Sequence, residues 1–205
     1  GVSVLPTNGS ERLVGLNPLA IAAPTRWEPP FIFDASMSSV AGNKITLAKR
    51  LGVDALPGWV ADSDGSPIMD ERQVPEDFKI LPLGGTRELG SHKGYSLAVM
   101  IEILSAVLSG GGAGPNRKAG ASHHFLAYKI DAFVDVDMFK DDLDQYMKTL
   151  RESAPAPGHD NVTYAGLPEH EEEKERLENG IPYHPEVIEW FTDIAAELQL
   201  PDRFN

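Results

Sequence analysis

The sequence predicts an α+β fold in which a core sheet is followed by a helical C-terminal subdomain. Short apolar runs separated by turn residues fill the N-terminal part, whereas apolar positions at helical spacing fill the C-terminal part. Between them lies one almost wholly apolar helix, from Ser91 to Leu108. Strands first and helices last is an order typical of α+β proteins. A doubly wound Rossmann sheet is not predicted, because no G-x-G-x-x-G motif follows a first strand.

The N-terminal part is predicted to contain short strands and tight turns. The runs LNPLAIAAP and PFIFDAS predict two strands linked by the proline-rich TRWEPP, and their lack of alternation predicts burial on both faces. Residues 38–51 are predicted to form a short helix. Asp64 and Gly65 stand between two apolar triplets, a pattern that is more typical of a tight hairpin than of a metal loop.

The central stretch from Ile80 joins a glycine-rich loop with a His-Lys pair to the apolar helix. Ser91 is predicted to cap this helix, and free first-turn amides beside Lys93 would favour an anion such as a phosphate-bearing ligand. The absence of a broad polar face predicts burial on most sides. The single charge in the helix, Glu102, is predicted to be paired or exposed at an edge, with a structural pair favoured over catalysis.

After a glycine-rich connection, the segment HHFLAYKIDAF is predicted to form a strand. His123 and His124 are assigned to sheet packing rather than to a metal, because neighbours on a strand point to opposite faces. Residues 136–150 have the apolar spacing of an amphipathic helix. A charged helix that ends at Gly180, with a left-handed cap, and a helix that begins at Pro185 complete the prediction.

Composition limits the classes of partner. The 205 residues carry a formal net charge of −13 at pH 7, which repels nucleic acid and anionic lipid and requires a local positive site for any anionic ligand. The chain has no cysteine, which excludes disulfides, thiolate catalysis and cysteine-ligated metal centres. No apolar run approaches the ~20 residues of a membrane span. We therefore expect a soluble, cytoplasmic protein with no nucleic-acid, membrane or metal partner.

Four blocks, in order along the chain, resemble the motifs of a known family. They are GLNPLAIA at 15–22, DASMSS with GNKI at 34–39 and 42–45, LPLGG with HKGYSL at 81–85 and 92–97, and PG at 157–158 with NGIP at 179–182. These blocks resemble the malate/L-lactate dehydrogenase family of the non-Rossmann, sulfolactate dehydrogenase-like type. Leu16, Ser96 and His159 depart from it, since threonine, glycine and glutamate are usual there.

The resemblance implies an NAD(P)-dependent oxidoreductase that acts on small 2-oxo or 2-hydroxy acids and forms homodimers. It implies a mixed, largely antiparallel β-sheet flanked by helices, with residues 1–152 as the cofactor-binding domain. Residues 153–205 would be a helical segment that packs with an N-terminal helical region. The family's acid/base histidine lies in a Ser-His-Gly stretch that no residue here matches. We therefore assign no catalytic residue, and we expect this chain to be part of a longer protein and inactive alone.

The matched blocks also imply a set of cofactor-binding residues. They are Asp34, Ser36, Met37, Ser38, Ser39, His92, Lys93, Gly94, Pro157 and Gly158. The cofactor is NAD or NADP, and the sequence does not decide between them. Two alternatives stay open: residues 34–39 could be a strand end that caps the next helix, and Gly94 could be a helix-packing residue. The alternative function is a non-catalytic nucleotide-binding or dimerisation module.

Overall fold

The computed structural model describes residues 1–118 and 120–201 and has the predicted α+β character. The strands are β1 (Leu19–Ala23), β2 (Phe31–Ala35), β3 (Val60–Ala61) and β4 (Lys79–Ile80). The helices are α1 (Gly42–Leu51), α2 (Ser91–Glu102), α3 (Val136–Arg151), α4 (Leu167–Asn179) and α5 (Pro185–Glu197). A π-helical turn, Ile103–Val107, continues α2 directly. No helix within the described ranges is both long enough and apolar enough to cross a bilayer.

The strands form two separate antiparallel ladders. In the first, β1 pairs with β2 so that Leu19 lies opposite Ala35 and Ala23 opposite Phe31, which confirms two strands linked by the proline-rich turn. In the second, β3 pairs with β4. The predicted burial of the first ladder on both faces is wrong, since three consecutive β1 residues, Ala20 to Ala22, are exposed. Among the described residues each ladder has only two strands, so one edge of β1 has no strand neighbour.

The predicted hairpin at Asp64 is confirmed. The Asp62 amide donates to the Ser66 carbonyl at 2.9 Å, and the Ile68 amide donates to the Val60 carbonyl at 2.9 Å. Gly65 occupies the turn with a φ of 93°, a conformation that glycine adopts without steric cost.

The main core lies between α1, the β3–β4 ladder and one side of α2. Its buried members include Ile45 of α1, Val60 of β3 and Ala98 of α2, together with Met37 and Ile68 from the connecting segments. A second cluster of Met147, Tyr164 and Leu167 packs against Phe31 and joins α3 and the start of α4 to β2.

The carboxylate of Asp144 attaches α3 to the turn between β1 and β2. It accepts hydrogen bonds from the backbone amides of Arg26, Trp27 and Glu28 at distances from 2.9 to 3.2 Å. Burial raises the pKa of Asp144, but these amides together with the nearby Arg26 guanidinium outweigh it, so its pKa lies below the ordinary value. The contact fixes the helical part of the chain to the first ladder.

The prediction that the apolar helix is buried on most sides is wrong. Only one stripe of α2 faces the core, and it consists of Ser91, Gly94, Ala98 and Glu102. These residues are three or four positions apart, so they share one face of the helix. Val99 and Ile101 are half-buried, and Ile101 packs against the core. Six apolar side chains of α2 and of the turns after it are exposed over more than a third of their surface; they are Leu97, Met100, Ile103, Leu104, Val107 and Leu108.

The prediction of a strand at HHFLAYKIDAF is also wrong. Residues 121–129 have no regular secondary structure, and a 3-10 turn follows at Ile130–Ala132. His123 and His124 are exposed, so their assignment to sheet packing is wrong as well. A strand needs a hydrogen-bonded neighbour, and the described residues supply none for this segment.

Candidate cofactor-binding site

The helix α2 begins differently from the sequence prediction. Ser91 is its first helical residue, and the cap position is Gly90, whose φ is 97°, so no side chain caps the helix. The hydroxyl of Ser91 instead lies 3.0 Å from the hydroxyl of Thr7. The amides of Ser91 and Lys93 donate to the carbonyls of Thr86 and Gly90, both at 2.9 Å. The predicted cap is therefore wrong, and these two amides are not available to an anion.

Glycines let the loop 81–85 lie directly against this helix. A Cβ atom at Gly94 would stand 2.2 Å from the Leu83 carbonyl oxygen and 2.5 Å from the Leu83 Cβ. A Cβ atom at Gly84 would stand 2.7 Å from the Ser91 amide nitrogen, and Gly84 has a φ of 95°. The geometry thus supports the packing alternative for Gly94, which sets the spacing between helix and loop.

Ser39 joins the loop 81–85 to the loop 36–39. Its amide donates to the Leu81 carbonyl at 2.9 Å, and its hydroxyl donates to the Pro82 carbonyl at 2.6 Å. The same hydroxyl oxygen accepts from the Gly85 amide at 3.0 Å. A further bond runs from the Leu83 amide to the Met37 carbonyl at 3.1 Å. Ser39 therefore joins the second and third of the four predicted blocks, and the first block meets the second through the pairing of β1 with β2.

The hydroxyl protons of this serine cluster are all used within the protein. The Ser38 hydroxyl donates to the Val40 carbonyl at 2.8 Å, and it lies 2.9 Å from the Ser36 hydroxyl. Because a serine has one hydroxyl proton, Ser36 must be the donor to Ser38. The three hydroxyls therefore offer a ligand only oxygen lone pairs. A ribose hydroxyl or a carboxamide NH₂ group can donate to them, whereas an ionised phosphate cannot.

His92 and Lys93 have polar groups without partners in the described part of the chain. The Nδ1 atom of His92 is buried and has no hydrogen-bond partner among the described residues. Lys93 is exposed and forms no ion pair with any residue that the structure describes. A buried unpaired nitrogen is costly, and such atoms in native structures indicate a missing ligand, water or neighbouring group. Hydroxyl acceptors, an imidazole nitrogen and a cation are the types of group that can bind the hydroxyl, amide and phosphate groups of a dinucleotide.

The other predicted residues have different environments. Met37 is only 1% exposed and its side chain belongs to the core, so only its backbone can contact a ligand. Asp34 is exposed on β2 and lines a cavity of about 610 Å³ together with Arg117 and His123. Pro157 and Gly158 form an exposed turn closed by a 3.1 Å bond from the His159 amide to the Ala156 carbonyl. Across residues 1–118 and 120–201, no hydrogen bond connects that turn to the other candidates.

One polar cluster behind the site was only partly predicted. Glu102, 9% exposed, accepts hydrogen bonds from the Gly114 amide at 2.9 Å and from Arg117 at 2.7 Å, which confirms the predicted structural pair. Burial raises the pKa of Glu102, but these two donors outweigh it, and the net pKa lies below the ordinary value. Asn17 has a φ of 41° and donates to the Ala98 carbonyl at 2.8 Å. The Asn-Pro dipeptide is a turn signal that could have identified Asn17 from the sequence.

Comparison with known proteins identifies the family. The model of the malate/L-lactate dehydrogenase family matches residues 2–192, so the chain belongs to that family and the resemblance of the four blocks is confirmed. Malate dehydrogenase from Pyrococcus horikoshii is 34% identical over 202 residues, which are 95% of this chain and 56% of that protein. Ureidoglycolate dehydrogenase (NAD(+)) from Escherichia coli is 28% identical over 203 residues, 94% of this chain and 55% of that protein.

Solved structures show the same fold. The crystal structure of malate dehydrogenase from Entamoeba histolytica superposes with a TM-score of 0.83 at 29% identity, covering 98% of this chain and 59% of that one. The chain thus spans little more than half the length of the relatives it matches.

Proposed function

We propose that this chain is the cofactor-binding part of an NAD(P)-dependent oxidoreductase that transfers a hydride between nicotinamide and a small 2-oxo or 2-hydroxy acid. The observation that carries the proposal is the connection made by Ser39, which joins the serine loop to the loop packed on α2. That loop packs on α2, the helix that carries the exposed Lys93 in its first turn. Relatives named malate dehydrogenase and ureidoglycolate dehydrogenase (NAD(+)) support this class of reaction.

Each of these residues would bind the part of the cofactor that its own chemistry suits. Ser36 would accept a hydrogen bond from a ribose hydroxyl or from the carboxamide, because its own proton is given to Ser38. Lys93 would hold the phosphates, which need a cation in a chain of this negative charge. The buried Nδ1 of His92 would gain a partner from the bound dinucleotide. When bound, the cofactor supplies the hydride, and the protein supplies its orientation.

The proton donor for the nascent alkoxide would come from outside this chain. The family's Ser-His-Gly stretch has no counterpart in the 205 residues. We propose that residues 1–152 form the cofactor-binding unit, that residues 153–205 pack with further helices, and that two such subunits form a homodimer. The chain by itself would then bind the dinucleotide without normal turnover.

Fluorescence titration of NADH and NADPH tests the binding site. Lys93→Ala should weaken binding about tenfold, since a charge-assisted contact is worth roughly 1.5 kcal/mol or more. Lys148→Ala is the matched control, because Lys148 is an exposed lysine of α3 and its replacement makes the same change in net charge. Equal affinities of the wild type and Lys93→Ala would remove Lys93 from the site.

A turnover assay with NADH or NADPH and a panel of 2-oxo acids tests the missing proton donor. We expect binding without turnover from the isolated chain. Rates comparable to those of full-length family members would contradict the assignment of the donor to another segment. Absence of both binding and turnover would contradict the cofactor-binding role itself.

A further inference from the structure

Residues 121–129 have an unusual combination of exposed apolar side chains and unpaired backbone. The exposed fractions of Phe125, Leu126 and Tyr128 are 89%, 65% and 71%. No described residue donates a hydrogen bond to, or accepts one from, the backbone of residues 121–128. The rings of His123 and Phe125 stack at 5.9 Å, as residues two apart do on one side of an extended chain. The segment therefore has the character of an unpaired edge strand.

The segment borders a groove that leads to another unpaired edge. The cavity of about 610 Å³ is lined by residues 121–125, by Leu19 and Ala20 of β1, and by Leu104 next to α2. Within the described ranges β1 is hydrogen-bonded to β2 alone, so its second edge is open. The groove thus lies between two backbones that both lack a strand neighbour there, and its walls include apolar side chains.

We propose that residues 121–129 are a docking strand for an extended apolar polypeptide segment, which enters the groove and completes the sheet. Exposed hydrophobic strands with open edges are pairing sites, and contiguous exposed apolar surface marks an interaction surface. The inference goes beyond the proposed function and does not depend on cofactor binding.

The occupant is a strand from the part of the polypeptide that the relatives have outside the match. The chain covers 56% of the Pyrococcus horikoshii enzyme, so more than two fifths of that enzyme lies outside the match. A second copy of this chain is the alternative occupant, and the measurements below distinguish it from that strand.

Hydrogen–deuterium exchange tests the docking strand directly. The probe is the portion of Pyrococcus horikoshii malate dehydrogenase that lies outside the matched residues, added as a separate polypeptide to the full chain. Amides of residues 121–129 should exchange rapidly in the free chain and about 100-fold more slowly at a probe concentration about 100 times the Kd. Unchanged exchange in this segment with bound probe, or no binding at all, would overturn the proposal.

Two proline variants distinguish strand pairing from nonspecific hydrophobic binding. His124→Pro and Ala127→Pro each remove one amide that has no partner among the described residues of the free chain. Because successive amides point to opposite edges of a strand and these positions are an odd number apart, one variant should abolish binding and the other should not. The control Asn161→Pro removes an exposed amide elsewhere that likewise has no described partner, and it should leave binding unchanged.

One result from these variants and one from the free chain would contradict the proposal. If both His124→Pro and Ala127→Pro bind the probe as the wild type does, the segment does not pair as a strand. A dimer of the free chain in which residues 121–129 are protected would assign this surface to a second copy and overturn the stated occupant. None of these measurements uses NADH or turnover, so failure here is distinct from failure of the proposed function.

Discussion

Gly94→Ala tests whether the spacing between α2 and the loop 81–85 determines both stability and the cofactor site. The added Cβ would stand 2.2 Å from the Leu83 carbonyl oxygen. A close carbon–oxygen contact is about 3.3 Å, so the helix or the loop must move by about 1 Å. The colliding oxygen belongs to the backbone, and no side-chain rotation can relieve the contact. The displacement would also shift the surface formed by the serine loop and Lys93.

The magnitude follows from two opposing effects. Overpacking against backbone costs up to about 3 kcal/mol, whereas alanine gains about 1 kcal/mol over glycine in a helix. The net destabilisation is then about 2 kcal/mol. For a chain of this size each kcal/mol corresponds to roughly 2–4 °C, so the Tm should fall by about 4–8 °C.

Thermal unfolding followed by circular dichroism measures this change, and Gly42→Ala is its control. Gly42 is the first residue of α1, and a Cβ added there would have no atom within 4 Å and would not require a left-handed φ. Alanine there should leave the Tm unchanged or raise it. It lowers the conformational entropy of the unfolded chain, which stabilises the folded state by about 0.4–1 kcal/mol. Equal Tm values for the two variants, or a more stable Gly94→Ala protein, would refute the proposed close packing.

Three further changes test the site and its supports. Ser39→Ala removes two hydrogen bonds between the loops and should weaken NADH binding severalfold, at about 1 kcal/mol per bond; unchanged affinity would contradict its positioning role. Glu102→Gln leaves Arg117 without a charged partner and should lower urea stability by about 1–3 kcal/mol, whereas Glu172→Gln, in an exposed pair, should change it by less than about 0.5 kcal/mol. The pKa of Asp144 is lowered in the folded state, so its stabilisation is present above the ordinary carboxyl pKa and is lost as pH falls towards the folded pKa. Asp144→Asn should therefore flatten the acid side of the stability profile, and an unaltered profile would contradict this contribution.

Elements with a local signal were predictable from the sequence. The Asp64-Gly65 turn, the spacing of apolar residues in α3 and the proline at the start of α5 each act through backbone geometry or one helix face. These features need no distant partner, which is why the structure confirms them.

Features that depend on a distant surface were not predictable in the same way. The apolar residues of α2 show that much of the helix can be buried, but they do not show which faces have a partner within this chain. The segment at His123 has strand-like residues and no neighbouring strand among the described residues. In both cases the residue types show that the segment can be buried or paired. Whether it is buried or paired depends on tertiary contacts with other segments.

The candidate site also has some features that the sequence motifs indicate and others that depend on tertiary contacts. The motifs indicated which blocks would matter, and two of them meet through Ser39. The sequence could not show that the hydroxyl protons of Ser36, Ser38 and Ser39 are all donated within the protein, nor that Met37 is buried. These facts depend on hydrogen-bond partners that are set by the folded backbone.

A crystal structure of this chain with NADH or NADPH would test the central claim most directly. We predict a dinucleotide along residues 36–39, with a ribose hydroxyl or the carboxamide donating to Ser36 and the phosphates beside Lys93. A nucleotide bound at another surface, or phosphates placed on the serine oxygens with Lys93 in solvent, would contradict the proposed site.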